Sequence, residues 1–151
     1  MELIKTKPEL LAYLDKIGYR KKDYDITVEA LIFTPEGKLL LEKRGPKCRD
    51  EVGKLEGVGG RLNGNDLLQE LRDEFVQELA AQKQGLEIEI ERLLEVRQVQ
   101  FKEATKGWKD WVVVSHLCRL KQGKPAIGEP GKIDHCTTSL LMSFTQRKRK
   151  I

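Results

Sequence analysis

Three glutamates, Glu70, Glu74 and Glu78, recur at intervals of four along the segment LLQELRDEFVQELAA. At about 100° per residue they fall along one edge of a helix. Leu67, Leu68, Leu71, Phe75 and Leu79 of the same segment recur at helical spacing and define a core-facing stripe. Glu78 falls between Leu67 and Leu71 inside that apolar arc, and Gln77 lies just outside it. A carboxylate on the core side costs free energy unless it is paired, hydrogen-bonded or bound to a metal. Its neighbours one turn back are also negative, and like charges at this spacing repel, so a cation is the natural compensation. Oxygen ligands select a hard ion such as Mg2+ (or Mn2+), which takes one or two carboxylates and leaves its other positions to water and substrate phosphate.

The elements that must position these groups lie on either side. Ahead of the helix runs LEGVGGRLNGND, where the adjacent Gly59 and Gly60 permit either a close backbone approach or a positive φ, and Gly57 and Gly64 add freedom. This stretch is expected to be a glycine-rich turn feeding the helix, with Asn65 or Asp66 as the N-cap. Together, turn and helix imply a magnesium-dependent phosphate site.

These residues resemble the signature of the Nudix hydrolases: a glycine, five residues, a glutamate, seven residues, then Arg-Glu-apolar-x-Glu-Glu-x-Gly-apolar. GGRLNGND matches the loop, and DEFVQELAA matches the helix if one residue is deleted between them. On that alignment Glu74 takes the first helix glutamate, Phe75 the apolar position and Glu78 the last glutamate. Asp73 replaces the arginine, Gln77 the middle glutamate, Asn65 or Asp66 the loop glutamate, and Ala80 the closing glycine. An ungapped alignment would put Phe75 on the catalytic glutamate; the gapped one keeps it in the core. Leu55 and Val58 stand where the family usually has an aromatic and a proline.

The resemblance implies an α+β fold, a Nudix-like α/β/α sandwich with a central mixed sheet. It further implies that Glu74 and Glu78 are catalytic residues and metal ligands, with Gly59 or Gly60 offering a backbone carbonyl to the ion. Arg44, at the end of a strand, would contact substrate phosphate together with the glycine loop; as a bare sequence feature it is equally a surface cation. Arg49 is a weaker candidate. Glu129, in a Pro and Gly loop, would add a distal carboxylate, although a loop glutamate is usually solvated.

The chain has 151 residues, enough for a single domain with a real core. Residues 1–24 are expected as an N-terminal helix and connector, and 136–151 as an atypical tail, disordered or closing the core as a stub through Leu140, Leu141, Met142 and Phe144. Charged residues make up 34% and hydrophobic ones 39%, the balance of a globular protein with no apolar run long enough to cross a bilayer. No membrane partner is expected, no secretory signal is visible in MELIKTKPELL, and cytoplasm is the default location. Cys48, Cys118 and Cys136 are odd in number and widely spaced, which suits reduced thiols rather than a disulfide framework or zinc site. The net charge of +4 is too mild to argue for nucleic acid, and the RKRK run at Arg147 to Lys150 reads as a solubilising end.

In chain order, Thr6 and Glu9 have capping-box spacing for a helix from Pro8 to about Lys16 using Leu10, Leu11 and Leu14, ended by Gly18. Ile26 to Phe33 and Lys38 to Lys43 read as a β-hairpin around Pro35, Glu36 and Gly37, with Arg44 closing its second strand. Leu86 to Phe101 alternates as one long or two broken strands with its acidic positions toward solvent. Trp108 to Leu120 is the most apolar strand and should lie centrally. Its His116 reads as a satisfied or edge histidine, Trp111 as core, and Trp108 as either a sheet plug or a stacking platform.

Two activities fit: a Nudix-type pyrophosphohydrolase acting on a nucleoside diphosphate linked to another group, or a nucleotide-binding or regulatory module of the same fold with impaired catalysis. Asp73 and Gln77 favour the second, since the family's arginine orients a glutamate that an aspartate would repel. A nucleotide-type small molecule is the expected partner in both, and the resemblance also allows a homodimer. RNA binding rests only on the basic tail and the two tryptophans.

Overall fold

Val112 to His116 form a run of five consecutive buried residues. β-branched side chains in such a run suit a strand with neighbours on both edges. The computed structural model describes residues 2–44, 55–79, 85–103, 105, 107–122 and 137–143. In it, strand β6 (Gly107–Gln122) pairs in parallel with β1 (Asp25–Phe33) and antiparallel with β5 (Glu87–Glu103). Its central placement agrees with the sequence expectation.

With β2 (Lys38–Arg44), β3 (Leu55–Glu56), β4 (Val58–Arg61) and β7 (Thr137–Ser143), the described strands make one seven-stranded mixed sheet in the order β3-β2-β1-β6-β5, with β4 also on β1 and β7 also on β2. Strand β2 (Lys38–Arg44) follows β1 through a turn in which the Thr34 N–H donates to the Lys38 carbonyl and Gly37 takes φ 79°. The hairpin is brief. Only Ile32 and Phe33 of β1 pair with β2, because β4 (Val58–Arg61) takes the same edge from Thr27 to Ala30. The two-residue β3 (Leu55–Glu56) pairs with β2.

Burial alternates strictly along β1, as a strand with one core face requires. Its inner residues Ile26, Val28, Ala30 and Ile32 join Val112, Val114, Cys118 and Leu120 of β6 in one cluster. The same cluster takes Leu10 and Leu14 from helix α1 (Lys7–Lys16) and Leu67, Leu71, Phe75 and Leu79 from helix α2 (Leu67–Leu79). Helices layered on a mixed sheet are the α+β sandwich expected.

Helix α1 starts where its cap signals place it. Thr6 Oγ1 accepts the Glu9 N–H at 3.3 Å, and the Glu9 carboxylate accepts the Lys5 N–H at 2.9 Å. It ends at Gly18, φ 83°. Leu11, expected in its apolar face, is 42% exposed; the buried stripe consists of Leu10 and Leu14.

Two expectations become more specific and one is corrected. Residues Thr137–Ser143, expected within a tail or stub, form strand β7, paired antiparallel with β2 from Lys38↔Ser143 to Arg44↔Thr137. The Leu86 to Phe101 segment forms one strand extending to Glu103, its register shifting at three places along β6. His116 is not at an edge: it is fully buried between Ala30 and Leu93 in the sheet, and among the described residues neither ring nitrogen has a hydrogen-bond partner. Burial alone pushes its pKa down to about 4.

Trp111, expected in the core, is instead half-buried and outside the core cluster, edge-on to Phe101 with Lys109 over its ring, and Trp108 is 69% exposed. No described helix is long and apolar enough to cross a membrane. Cys118 is a buried free thiol, its pKa pushed up to about 12 by burial. Cys48, Cys136, Arg49, Ala80, Glu129, Phe144 and Arg147 to Lys150 lie outside the described residues.

Candidate functional site

Helix α2 exists because Asp66 caps it and its apolar stripe is buried. Asp66 Oδ1 accepts the Gln69 N–H at 2.9 Å, and the Asp66 carbonyl accepts the Glu70 N–H at 3.2 Å. Of the two cap candidates, Asp66 fills the role. Asn65 serves α1 instead, its carbonyl accepting the Lys7 N–H at 2.8 Å. The Lys5 carbonyl in turn accepts the Leu67 N–H at 2.9 Å, so the starts of the two helices are bonded to each other through the Thr6↔Asp66 bridge.

Gly59 and Gly60 do not form a turn. They lie in β4, opposite Glu29 and Val28 of β1, and the positive-φ glycines among the described residues are elsewhere, at positions 18, 37, 85 and 107. Of the two uses open to a glycine pair, close approach is the one realised. A β-carbon on Gly59 would overlap the Val28 carbonyl oxygen. One on Gly60 would lie 2.5 Å from both Cδ and Oε1 of Glu74. Strand β4 is therefore glycine-rich because the β1 backbone crowds one residue and the Glu74 carboxylate lies against the next.

Glu74 is half-buried and Glu78 likewise, with Glu78 Oε2 shielded from solvent as its place in the apolar arc requires. The Glu78 carboxyl lies close enough to bear on the titration of Glu74. The Glu74 pKa is raised above the ordinary carboxylate value, first by burial; hydrogen bonding with Glu78 opposes the shift, and the charge and hydrogen bonding of Glu70 and then the charge of Asp73 add to it. Asp73 is exposed, accepts from Gln69 Nε2 at 2.9 Å, and supplies negative charge where the family has an arginine. Arg72 is no substitute, because the adjacent helical position points about 100° away, and its side chain is exposed. Gln77 is exposed.

The structure thus brings Gly60, Glu74 and Glu78 together, with Gly59 adjacent. Arg44 closes β2 opposite Thr137, and its side chain lies outside what is described. Among the described residues no group of three or more His, Cys, Asp or Glu side chains could hold a metal by itself. A two-carboxylate set with backbone carbonyls nearby still fits magnesium, which usually draws its remaining ligands from water and phosphate. The Glu74 carboxylate held against the Gly60 backbone, with the shielded Glu78 oxygen on the same helix face, is the local feature that suits such an ion.

One link was not anticipated. The Asn63 N–H donates to Glu70 Oε1 at 2.9 Å, tying the connection between β4 and α2 to the helix's first turn. The four-residue spacing from Glu70 to Glu74 was visible in the sequence, but nothing there marks Asn63 as its donor.

No protein-family profile and no curated protein sequence matches the chain. Solved structures do. A NUDIX hydrolase from Nitrosomonas europaea superposes with a TM-score of 0.56 at 21% identity, over 80% of this chain and 72% of that one. The NUDIX domain of Shewanella oneidensis NrtR, solved with ADP ribose, gives 0.56 at 21% over 91% and 83%. A MutT protein from Bacillus halodurans gives 0.53 at 12% over 79% and 68%. The architecture is thus one already known from solved structures, and the chain adopts the Nudix fold.

Proposed function

We propose that the protein is a Nudix-type hydrolase that cleaves the pyrophosphate bond of a nucleoside diphosphate linked to another group, with Mg2+ or Mn2+ as cofactor. The observation that carries this reading is the packing of the Glu74 carboxylate against Gly60, with the Glu78 carboxyl close beside it. Glu74, Glu78 and the Gly59 or Gly60 carbonyl would hold the ion. A divalent cation bound there supplies Lewis-acid polarisation of the pyrophosphate and acidifies water.

The chain's own groups divide the remaining work. Glu74 acts as general base: burial raises its pKa toward neutrality, the direction that makes a carboxylate a better proton acceptor. It takes the proton of the attacking water as the new P–O bond forms and the P–O–P bridge breaks, releasing a nucleoside monophosphate and the phosphorylated second group. Glu78, anchored on the core side of the helix, fixes the other carboxylate. Arg44 neutralises charge on the substrate phosphates in the transition state. The ADP ribose bound to the NrtR domain is itself a nucleoside diphosphate linked to a sugar, and supports a ligand of this class.

The test is incubation with Mg2+ and a panel of nucleoside diphosphate conjugates, followed by assay of released nucleoside monophosphate. Wild type should turn over at least one of them, and Glu78→Gln should abolish turnover at an unchanged melting temperature. Undiminished turnover in Glu78→Gln would end this assignment of roles.

A second reading, a nucleotide-binding module with impaired catalysis, is favoured by one observation. The Asp73 charge bears on Glu74 where the family's arginine would pair with it. Saturable nucleotide binding without turnover of any panel member would select that reading.

A further inference from the structure

Glu70 occupies no position of the family motif as aligned here, yet its carboxylate is committed to a backbone donor. Its Oε1 accepts the Asn63 N–H at 2.9 Å. Asn63 follows Leu62, whose own N–H is bonded to the Ile26 carbonyl of β1 at 2.8 Å. On the helix side, the Glu70 N–H is bonded to Asp66. Between those anchors lies the connection 62–66, which carries β4 into α2 and contains Gly64, where nothing lies within 4 Å of an added β-carbon. Glu70 is the side chain that closes this connection from the helix, one turn ahead of Glu74.

We propose that Glu70 is a positioning residue: by holding the Asn63 N–H it fixes the β4 backbone at Gly59 and Gly60 against the Glu74 carboxylate. Its function is that of an acceptor rather than a charge. A ligand role is disfavoured, because Oε1 is already engaged and no three-carboxylate group among the described residues could hold an ion. The proposal rests on the reading above only in taking the Glu74 site as the place of chemistry.

Two substitutions separate the roles, since Glu70→Gln keeps the acceptor oxygen and loses the charge, while Glu70→Ala loses both. Amide hydrogen exchange at Asn63 in the metal-free full chain reads the tie directly. Glu70→Ala should accelerate it about fivefold, the worth of one exposed hydrogen bond, and Glu70→Gln should leave it within about twofold of wild type. Mn2+ affinity, read from the free-ion EPR signal, should follow the same order, weakened about fivefold in Glu70→Ala and restored in Glu70→Gln. Equal loss of Mn2+ affinity in both variants would make Glu70 a charge and overturn the proposal. Asn63 exchange unchanged in Glu70→Ala would overturn it too. Were wild type to bind no Mn2+ while Asn63 exchange still followed the predicted order, the tie would stand and the metal-dependent reading would fall.

Discussion

Alanine at Gly60 should silence the site without unfolding the protein, and alanine at Gly59 should destabilise the fold. At Gly60 the added β-carbon would lie 2.5 Å from Glu74 Cδ and Oε1 and 2.9 Å from Oε2. Those atoms end a flexible side chain, so the carboxylate can swing away at little cost to the fold. The φ of Gly60 is not positive, so alanine there also restricts the unfolded chain, which stabilises by about 0.4–1 kcal/mol and offsets the local crowding. Stability should therefore change by less than about 1 kcal/mol, while displacement of a general base lowers turnover by about a hundredfold or more. At Gly59 the β-carbon would overlap the Val28 carbonyl oxygen and crowd Glu29 Cα at 3.0 Å, atoms of the β1 backbone that cannot rotate aside. Forced overpacking of this kind costs about 3 kcal/mol, a fall in melting temperature of about 6–12 °C for a chain of this size. Thermal melts of both variants and nucleotide turnover below the lower transition separate the two effects. Full turnover in Gly60→Ala, or a wild-type melt in Gly59→Ala, would refute the account of why β4 carries two glycines.

The other predictions concern stability. His116 has a folded pKa near 4 against about 6.5 when unfolded, so the unfolded chain takes up the proton first. Stability from this group is therefore full above about pH 6.5 and lost as pH falls toward 4, by at most about 3 kcal/mol. His116→Leu should be more stable than wild type at pH 7.5, because two buried nitrogens without a partner among the described residues are removed, and should show a shallower loss between pH 6.5 and 4. Equal urea midpoints at both ends of that range in the two proteins would contradict this. Asp66→Ala removes the cap of α2 and should cost about 1 kcal/mol, lowering the melting temperature by about 2–4 °C.

Local signals in the sequence carried much of the fold. The stripe of α2, the caps at Thr6 and Asp66, the turn at Gly37 and the centrality of β6 each follow from a few adjacent residues whose chemistry has one good solution. Glu78 was legible for the same reason: an acidic residue inside an apolar arc is conspicuous, and its Oε2 is shielded in the folded chain. What escaped depends on residues far apart in sequence. The glycines of β4 read as a turn because glycine permits one, but pairing with β1 makes them a strand, in which Val28 and Glu74 leave no room for a β-carbon. Thr137–Ser143 became β7 only because β2 offers it an edge, and its own residues do not specify that partner. His116 sits unpartnered among the described residues because Ala30 and Leu93 close around it from two other strands. Glu70 read as one more negative neighbour on the glutamate edge, and its acceptor role depends on the loop that brings it the Asn63 N–H.

The most direct measurement is anomalous diffraction from crystals grown in saturating Mn2+. The account predicts one peak at about 2.1 Å from a carboxylate oxygen of both Glu74 and Glu78, on the side facing Gly60. Crystals under those conditions with no peak between the two carboxylates, or with each of them turned to a lysine or arginine, would contradict it.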